Sequence, residues 1–337
     1  MITYPLNIKR EEWINLSDKE QHKLIQDIIA YFREFGFPHF DYSLDEQHEE
    51  MKRLDKYMNH NDLEENKIIK QSMHCMGVCW SYHPHHWDIQ CGNSKTPMQV
   101  FKNNDLLEKS IRKRMKSGSH INEAMMRKTF KVSGGAQTVS NFRPSVARWI
   151  YDKYSGEGYV FDPCMGFGGR LLGAISSPRV KKYVGVEPST KTMIGLEKMT
   201  KNLDHEKKIK LNHGCAENVI LDEKFDLSFT SPPYFNTEKY SDESTQSYKK
   251  FLKYEDWLNG FLEPMIDNSI RMLKDSGYFI INIANVKTAK NLEGDFQNIM
   301  KKKKMILVDT YKMSLSKQHS GGKFKYEPIF VYKIHNI

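Results

Sequence analysis

The segment Tyr159-Val160-Phe161-Asp162-Pro163-Cys164-Met165-Gly166-Phe167-Gly168-Gly169-Arg170 passes from an apolar triplet to an acid, a proline and three glycines within twelve positions. The triplet has the length and bulk of a buried strand, and residues 171–175, just beyond, have the apolar density of a helix start. Glycines between a strand's carboxyl end and a helix let the backbone approach a ligand closely, while the first N–H groups of the helix lack partners within it. The pattern predicts a nucleotide-type cofactor pocket formed by Asp162, Pro163, Gly166, Gly168 and Gly169. A glycine turn alone is a weak signal, because many such turns bind nothing.

The flanking sequence extends the same reading. A helix starting after Pro144 (Val146, Trp149, Ile150, Tyr154) leads through Gly156-Glu157-Gly158 into the apolar triplet. Short apolar runs recur at residues 183–186, 225–229, 278–283, 305–308 and 329–332, most of them separated by helical stretches. Such alternation predicts an α/β fold with a Rossmann-like, doubly wound, mostly parallel sheet. Upstream, Ser17 and Glu20 form a capping-box pattern before Leu24, Ile28, Tyr31 and Phe32, which recur at helical spacing. Residues 43–72 read as polar and helical. The expected division is a largely helical N-terminal extension, 1–135, and a cofactor-binding domain, 136–337, with Ser133-Gly134-Gly135 as the flexible connection.

Composition narrows the class. The chain has 337 residues, a net charge of +9 and enough apolar and aromatic content for a sizeable core. No run of 18 apolar residues occurs, and residues 1–10 lack the layout of a signal peptide, so the expectation is a cytoplasmic protein with no membrane contact. Five cysteines, an odd number, argue against a disulfide framework. The basic balance favours a polyanionic partner.

Three further sites carry chemistry. Glu187 follows the 183–186 run, about 20 residues after the glycines, where a carboxylate accepts both hydroxyl hydrogens of a ribose. Glu217 lies in the turn Gly214-Cys215-Ala216-Glu217, where the next strand should end, and borders the expected adenine position. The fourth run enters Thr230-Ser231-Pro232-Pro233-Tyr234. Two prolines hold that backbone extended, so the Pro232 carbonyl has no competing local hydrogen bond and points into the site.

In this order the motifs resemble the S-adenosyl-L-methionine-dependent DNA amino-methyltransferases, which methylate cytosine N4 or adenine N6. Their pattern is a D-P-x-x-G-x-G-like loop, an acid after the second strand and an (S/N/D)-P-P-(Y/F/W) tetrapeptide after the fourth. Here these are Asp162 to Gly169, Glu187, and Ser231 to Tyr234; the likeness covers roughly residues 141–332. It implies a class I methyltransferase domain, S-adenosyl-L-methionine as cofactor, and Ser231, Pro232, Pro233 and Tyr234 as catalytic residues. It also implies that Arg143, in Asn141-Phe142-Arg143-Pro144, holds the cofactor carboxylate or a phosphate. The Ser form of the tetrapeptide is commonest among cytosine-N4 members, so cytosine N4 is the expected target and adenine N6 the alternative. The implied partner is DNA whose target base is flipped out of the duplex, with a cognate restriction enzyme as a second partner in restriction-modification systems. An RNA base methyltransferase and a catalytically silent nucleic-acid-binding protein stay open as alternatives, and the oligomeric state is undefined. Cytosine-C5 chemistry fits poorly, because its Pro-Cys nucleophile belongs in the fourth-strand loop, whereas Pro163-Cys164 lies in the first.

About 60 residues separate the glycines from Ser231, too few for a large target-recognition domain. Recognition is therefore expected from the N-terminal part, from residues 235–254, or from the basic C-terminal region. Residues 102–131 hold nine Lys or Arg against three acids, on a helix expected to start near Asp105; residues 299–333 hold nine Lys against Asp309 and Glu327. Either cluster suits a phosphate backbone or simply a solvated face, and residues 314–325, with Gly321-Gly322, suit a loop that follows phosphates. Cys75, Cys79 and Cys91 with four nearby histidines read as a zinc site or as a packed aromatic and thiol cluster. Their spacings match no common zinc motif, so no metal ligand is assigned.

Overall fold

Val160, Phe161, Tyr183, Val184, Leu227, Phe229, Ile280 and Ile281 are almost entirely removed from solvent. Strands covered on both faces read as apolar runs rather than alternations, which is why these segments stand out in the sequence. The computed structural model describes residues 8–60, 63–117, 120–317 and 324–334. Among the described residues the main sheet has nine strands, two of two residues each at one edge and seven longer ones: β1 (Tyr159–Asp162), β2 (Lys182–Glu187), β3 (Lys208–His213), β4 (Phe225–Thr230), β5 (Leu273–Asn282), β6 (Ile306–Lys317) and β7 (Phe324–Lys333).

Their spatial order is β6-β7-β5-β4-β1-β2-β3. β5, β4, β1, β2 and β3 run parallel, whereas β7 is antiparallel to β5 and β6. β1 pairs with β2 on one side and β4 on the other, so the strand order reverses between β1 and β4. In a doubly wound sheet that switch point opens a crevice at the strands' carboxyl ends. This is the Rossmann-like, mostly parallel α/β fold expected from the sequence. Because β7 runs the other way, its first residues reach the edge where β4 and β5 end; Ile329 pairs with Asn282.

The chain divides into two compact units, and the boundary differs from a cut near residue 135. One unit comprises the described residues up to Asp41 with Pro84–Ser140; the other comprises Tyr42–His83 with Asn141–Ile337, as far as described. Residues 42–83 join the sheet-bearing unit because they supply part of its core. Leu54, Ile69, Cys75, Val78 and Cys79 pack with Val146, Ile150 and Leu172, Arg148 pairs with Asp55, and the Ser72 N–H donates to Ser145 Oγ (3.0 Å). Within this stretch only Leu44–His60 is a long helix; Glu64–Glu65 and Ile68–Ile69 form a hairpin through Asn66 and Lys67, both at positive φ. Ile68–Ile69 then pairs in parallel with β6, extending the sheet. The reading of residues 43–72 as helical fails there, because a two-residue turn with no glycine gives little sequence signal.

The other unit packs the Asp18–Phe35 helix around Ile28, Phe32, Trp87, Phe101, Ile111 and Phe130. Ser17 caps that helix in the expected box, with Glu20 donating its N–H to Ser17 Oγ (3.4 Å). The basic stretch is helical over Asn104–Lys116, capped by Asn103, and exposes Lys109, Lys113 and Lys116 on one side at i, i+4, i+7 spacing. Cys75 and Cys79 are buried in the core of the sheet-bearing unit, and Cys91 is buried in the other unit. Among the described residues no group of three or more His, Cys, Asp or Glu could hold a metal ion, and no helix is long and apolar enough to cross a membrane. Of the loop expected to follow phosphates, residues 318–323, including Gly321-Gly322, lie outside the described residues.

Candidate active site

Three turns meet at the carboxyl ends of the strands. After β1, Gly166 and Gly168 take left-handed conformations (φ 55° and 77°) before the helix Gly169–Ser176. The glycines have different physical reasons. A Cβ on Gly168 would stand 2.3 Å from Met199 Cε, and one on Gly169 2.0 Å from the Phe142 carbonyl oxygen, so both are set by close packing. Above Gly166 there is open space, with no atom within 4 Å of the position a Cβ would take. Gly166 is thus the glycine with room for a ligand above its Cα.

Asp162 is completely buried and fully engaged. It accepts from Arg170 Nε (2.8 Å) and Nη2 (3.2 Å), Tyr183 Oη (2.7 Å), Thr230 Oγ1 (3.0 Å) and the Cys164 N–H (3.2 Å). The carboxylate therefore joins β1, β2 and β4 at the switch point and fixes the shape of the turn. Arg170 is equally buried, donates to the Cys164 carbonyl, and packs over the rings of Phe142 and Phe229. Its guanidinium is held above its ordinary pKa by Asp162, despite desolvation. Burial, with Asp162 adding to it, pushes the Cys164 thiol well above its usual value, which makes it a poor nucleophile. Pro163 opens the turn between them.

Glu187 closes β2 and is almost fully buried. Burial pushes its carboxyl up to about 7, against the opposing pull of the Ser189 and Gly166 N–H groups. Ser189 N lies 2.9 Å from Oε1. Glu187 and the glycine turn thus lie together at neighbouring strand ends. Residues 235–254 fold back onto the turn after β2. Glu243 accepts from the Thr190 N–H (3.0 Å) and Oγ1 (2.8 Å), and Thr245 Oγ1 donates to the Pro188 carbonyl (3.1 Å). Glu217 is placed differently, its carboxylate paired with Lys250 Nζ at 2.6 Å. Arg143 precedes the Pro144–Tyr154 helix and donates through Nε to Gln71 Oε1 (2.9 Å), while the neighbouring Phe142 carbonyl lies against Gly169.

Ser231, Pro232, Pro233 and Tyr234 follow β4 directly, across the switch point from the glycine turn. Ser231 Oγ donates to Asn282 Oδ1 (3.2 Å), and Tyr234 Oη lies 3.2 Å from the same atom and 3.3 Å from the Asn282 carbonyl. Phe235, next in sequence, sits at φ 55°, a strained position for a bulky residue. Its buried ring packs against Tyr254 and Trp257 (centroids 5.6 and 5.9 Å), which holds the turn in place. Glu327 of β7 adjoins Asn282 and Tyr234, and its carboxyl is raised chiefly by burial. Asn282 is not among the residues the sequence singles out, and Glu327 enters there only as a charge. The available signal was Asn282 itself, a lone amide ending the apolar run Phe279-Ile280-Ile281.

Strand order, parallel core and turn positions together define a class I methyltransferase fold. Residues 225–336, from β4 through the tetrapeptide to near the end of the chain, match the profile of the N6/N4 DNA methylase family. Among solved structures, a SAM-dependent O-methyltransferase from Thermotoga maritima is similar over 59% of this chain and 69% of its own, at 12% identity and a TM-score of 0.41. Precorrin-6y C5,15-methyltransferase from Geobacter metallireducens GS-15 is similar over 56% of this chain and 85% of its own, at 14% identity and a TM-score of 0.38. Magnesium protoporphyrin IX methyltransferase from Synechocystis PCC 6803, solved with bound SAM, covers 56% of this chain and 77% of its own, at 14% identity and a TM-score of 0.39. No curated protein matches the chain.

Proposed function

We propose that this protein methylates the exocyclic amino group of a flipped-out DNA base, cytosine N4 in preference to adenine N6, with S-adenosyl-L-methionine as the methyl donor. The observation that carries the reading is the placement of Ser231 to Tyr234 at the end of β4, beside the glycine turn of β1. The residues present fit the cofactor: open space stands over Gly166, and a buried carboxyl, Glu187, lies at the neighbouring strand end. When bound, S-adenosyl-L-methionine supplies an electrophilic methyl group on a sulfonium. Glu187 would hold the ribose hydroxyls, the Gly166 backbone would line the amino-acid portion, and Arg143 would take the carboxylate after leaving Gln71. Asp162, with every bond used internally, would act by shaping the turn.

An exocyclic amine is a weak nucleophile, because its lone pair is delocalised into the ring. Ser231 Oγ and the Pro232 carbonyl would accept its two hydrogens, favouring a tetrahedral nitrogen whose lone pair would form the N–C bond as the methyl–sulfur bond of the sulfonium breaks, its electron pair staying on the sulfur of a departing neutral thioether. The transient cation then loses one proton to water. Pro233 keeps the backbone extended, and Tyr234 would stack on the base and ease the transient charge. Cys164 has no part, in keeping with its raised thiol pKa.

The test is transfer of labelled methyl from S-adenosyl-L-methionine to unmethylated duplex DNA. Wild-type protein should label the DNA, and Ser231→Ala should lose about 100-fold or more in kcat while its cofactor Kd stays within about twofold. Full activity in Ser231→Ala would remove the hydroxyl from the mechanism. Preference for structured RNA over duplex DNA would redirect the substrate assignment.

A further inference from the structure

Asn282 ends β5 at the rim of the site and is itself 2% exposed. Its Nδ2 donates to the Pro328 carbonyl of β7 at 3.0 Å. That bond fixes the orientation of the amide, since a carbonyl accepts only from the nitrogen side. Oδ1 is consequently the atom aimed at Ser231 Oγ and Tyr234 Oη, each 3.2 Å away. One acceptor thus serves two residues of the tetrapeptide. A hydroxyl has one hydrogen and two lone pairs. With its hydrogen committed to Asn282, Ser231 Oγ can present only lone pairs to an incoming amino group, the role the methyl-transfer chemistry requires. The same acceptor, with Glu327 beside it, anchors the Tyr234 hydroxyl and so holds the far end of the ring in place.

We infer that Asn282 is a positioning residue that orients Ser231 as a hydrogen-bond acceptor and anchors the end of the Tyr234 ring, with β7 supplying the bond that sets its amide. The inference rests on the amino-methyltransferase reading. Asn282 touches no reacting atom in this account; it acts through its two partners. β7 contributes because it alone in this part of the sheet runs antiparallel, bringing Pro328 and Glu327 to the rim where the parallel strands end.

A double-mutant cycle on the full-length protein tests this, with methyl transfer to duplex DNA as the rate and cofactor binding measured separately. Asn282→Ala should lower kcat about 10- to 100-fold with little change in cofactor Kd. In a Ser231→Ala, Tyr234→Phe background the same substitution should cost less than about twofold, because the groups it positions are already gone. A full, multiplicative loss in that background would overturn the inference and leave Asn282 a structural residue. An unchanged cofactor Kd together with an unchanged urea midpoint for Asn282→Ala guards against misfolding. Absence of methyl transfer by the wild-type protein would instead defeat the functional reading on which the inference rests.

Discussion

Burial holds the Glu187 carboxyl up to about 7, so at neutral pH its charge is half-formed. Below about 4.5 the group is neutral whether the chain is folded or not; above about 7 it is ionised in both states, and the folded state bears the full desolvation cost. Its contribution to stability is therefore present at low pH and lost as pH rises through about 7. Ligand binding runs the other way, because ribose hydroxyls donate to the ionised form. Cofactor affinity should rise between pH 6 and pH 8, and Glu187→Gln should flatten that dependence while weakening binding; calorimetric titration at the two pH values measures both. A pH-independent Kd in the wild type would remove Glu187 from the ribose role. Glu187 was legible from its place after a strand and a glycine turn. The engagement of Asp162 by four partners was not, because Tyr183 and Thr230 reach it across β2 and β4. Glu217 shows the same limit, since a lysine 33 positions away takes its carboxylate.

The turn between β1 and its helix depends on glycines that look equivalent in sequence and are not. Gly169→Ala would force a methyl against the Phe142 carbonyl, a backbone atom that cannot yield cheaply, and should cost about 1–3 kcal/mol in urea denaturation. Gly166→Ala meets no atom and bears only the left-handed backbone, roughly 1–2 kcal/mol. Its methyl would stand in the open space assigned to the cofactor, so the expected result is at least tenfold weaker cofactor binding. If Gly166→Ala binds normally, the cofactor does not pass over this glycine. Arg170→Ala leaves Asp162 buried without a counter-charge and should cost about 3–5 kcal/mol by the same denaturation measurement. The buried strands β1, β2 and β4 were readable as apolar runs. β3 was inferred only from where its following turn should lie, because Lys208, Lys210 and Asn212 alternate with apolar residues on a sheet edge. β5, β6 and β7 begin or end well outside their apolar cores, where polar residues extend the pairing.

At the scale of the molecule, the α/β sheet was legible from its alternation of runs and helices, and the division of the chain was not. Residues 42–83 look like an extension in sequence, yet they fill one side of the sheet-bearing unit; only packing partners such as Leu54 with the Pro144–Tyr154 helix region reveal this. The other unit carries the exposed row Lys109, Lys113 and Lys116, which suits a phosphate backbone. Reversing these three lysines to Glu should weaken DNA binding similarly across sequences and shallow its dependence on salt, with cofactor Kd unchanged. An unaltered salt slope would make the row a solvated face. Methyl transfer to a base amino group at the tetrapeptide of β4 is tested by the identity of the product. The protein is incubated with S-adenosyl-L-methionine and unmethylated genomic DNA, the DNA is digested to nucleosides, and these are analysed by mass spectrometry. The expected product is N4-methylcytosine, with N6-methyladenine keeping the mechanism on the other base; no methylated nucleoside, with cofactor binding intact, would rule out amino-group methylation at this site.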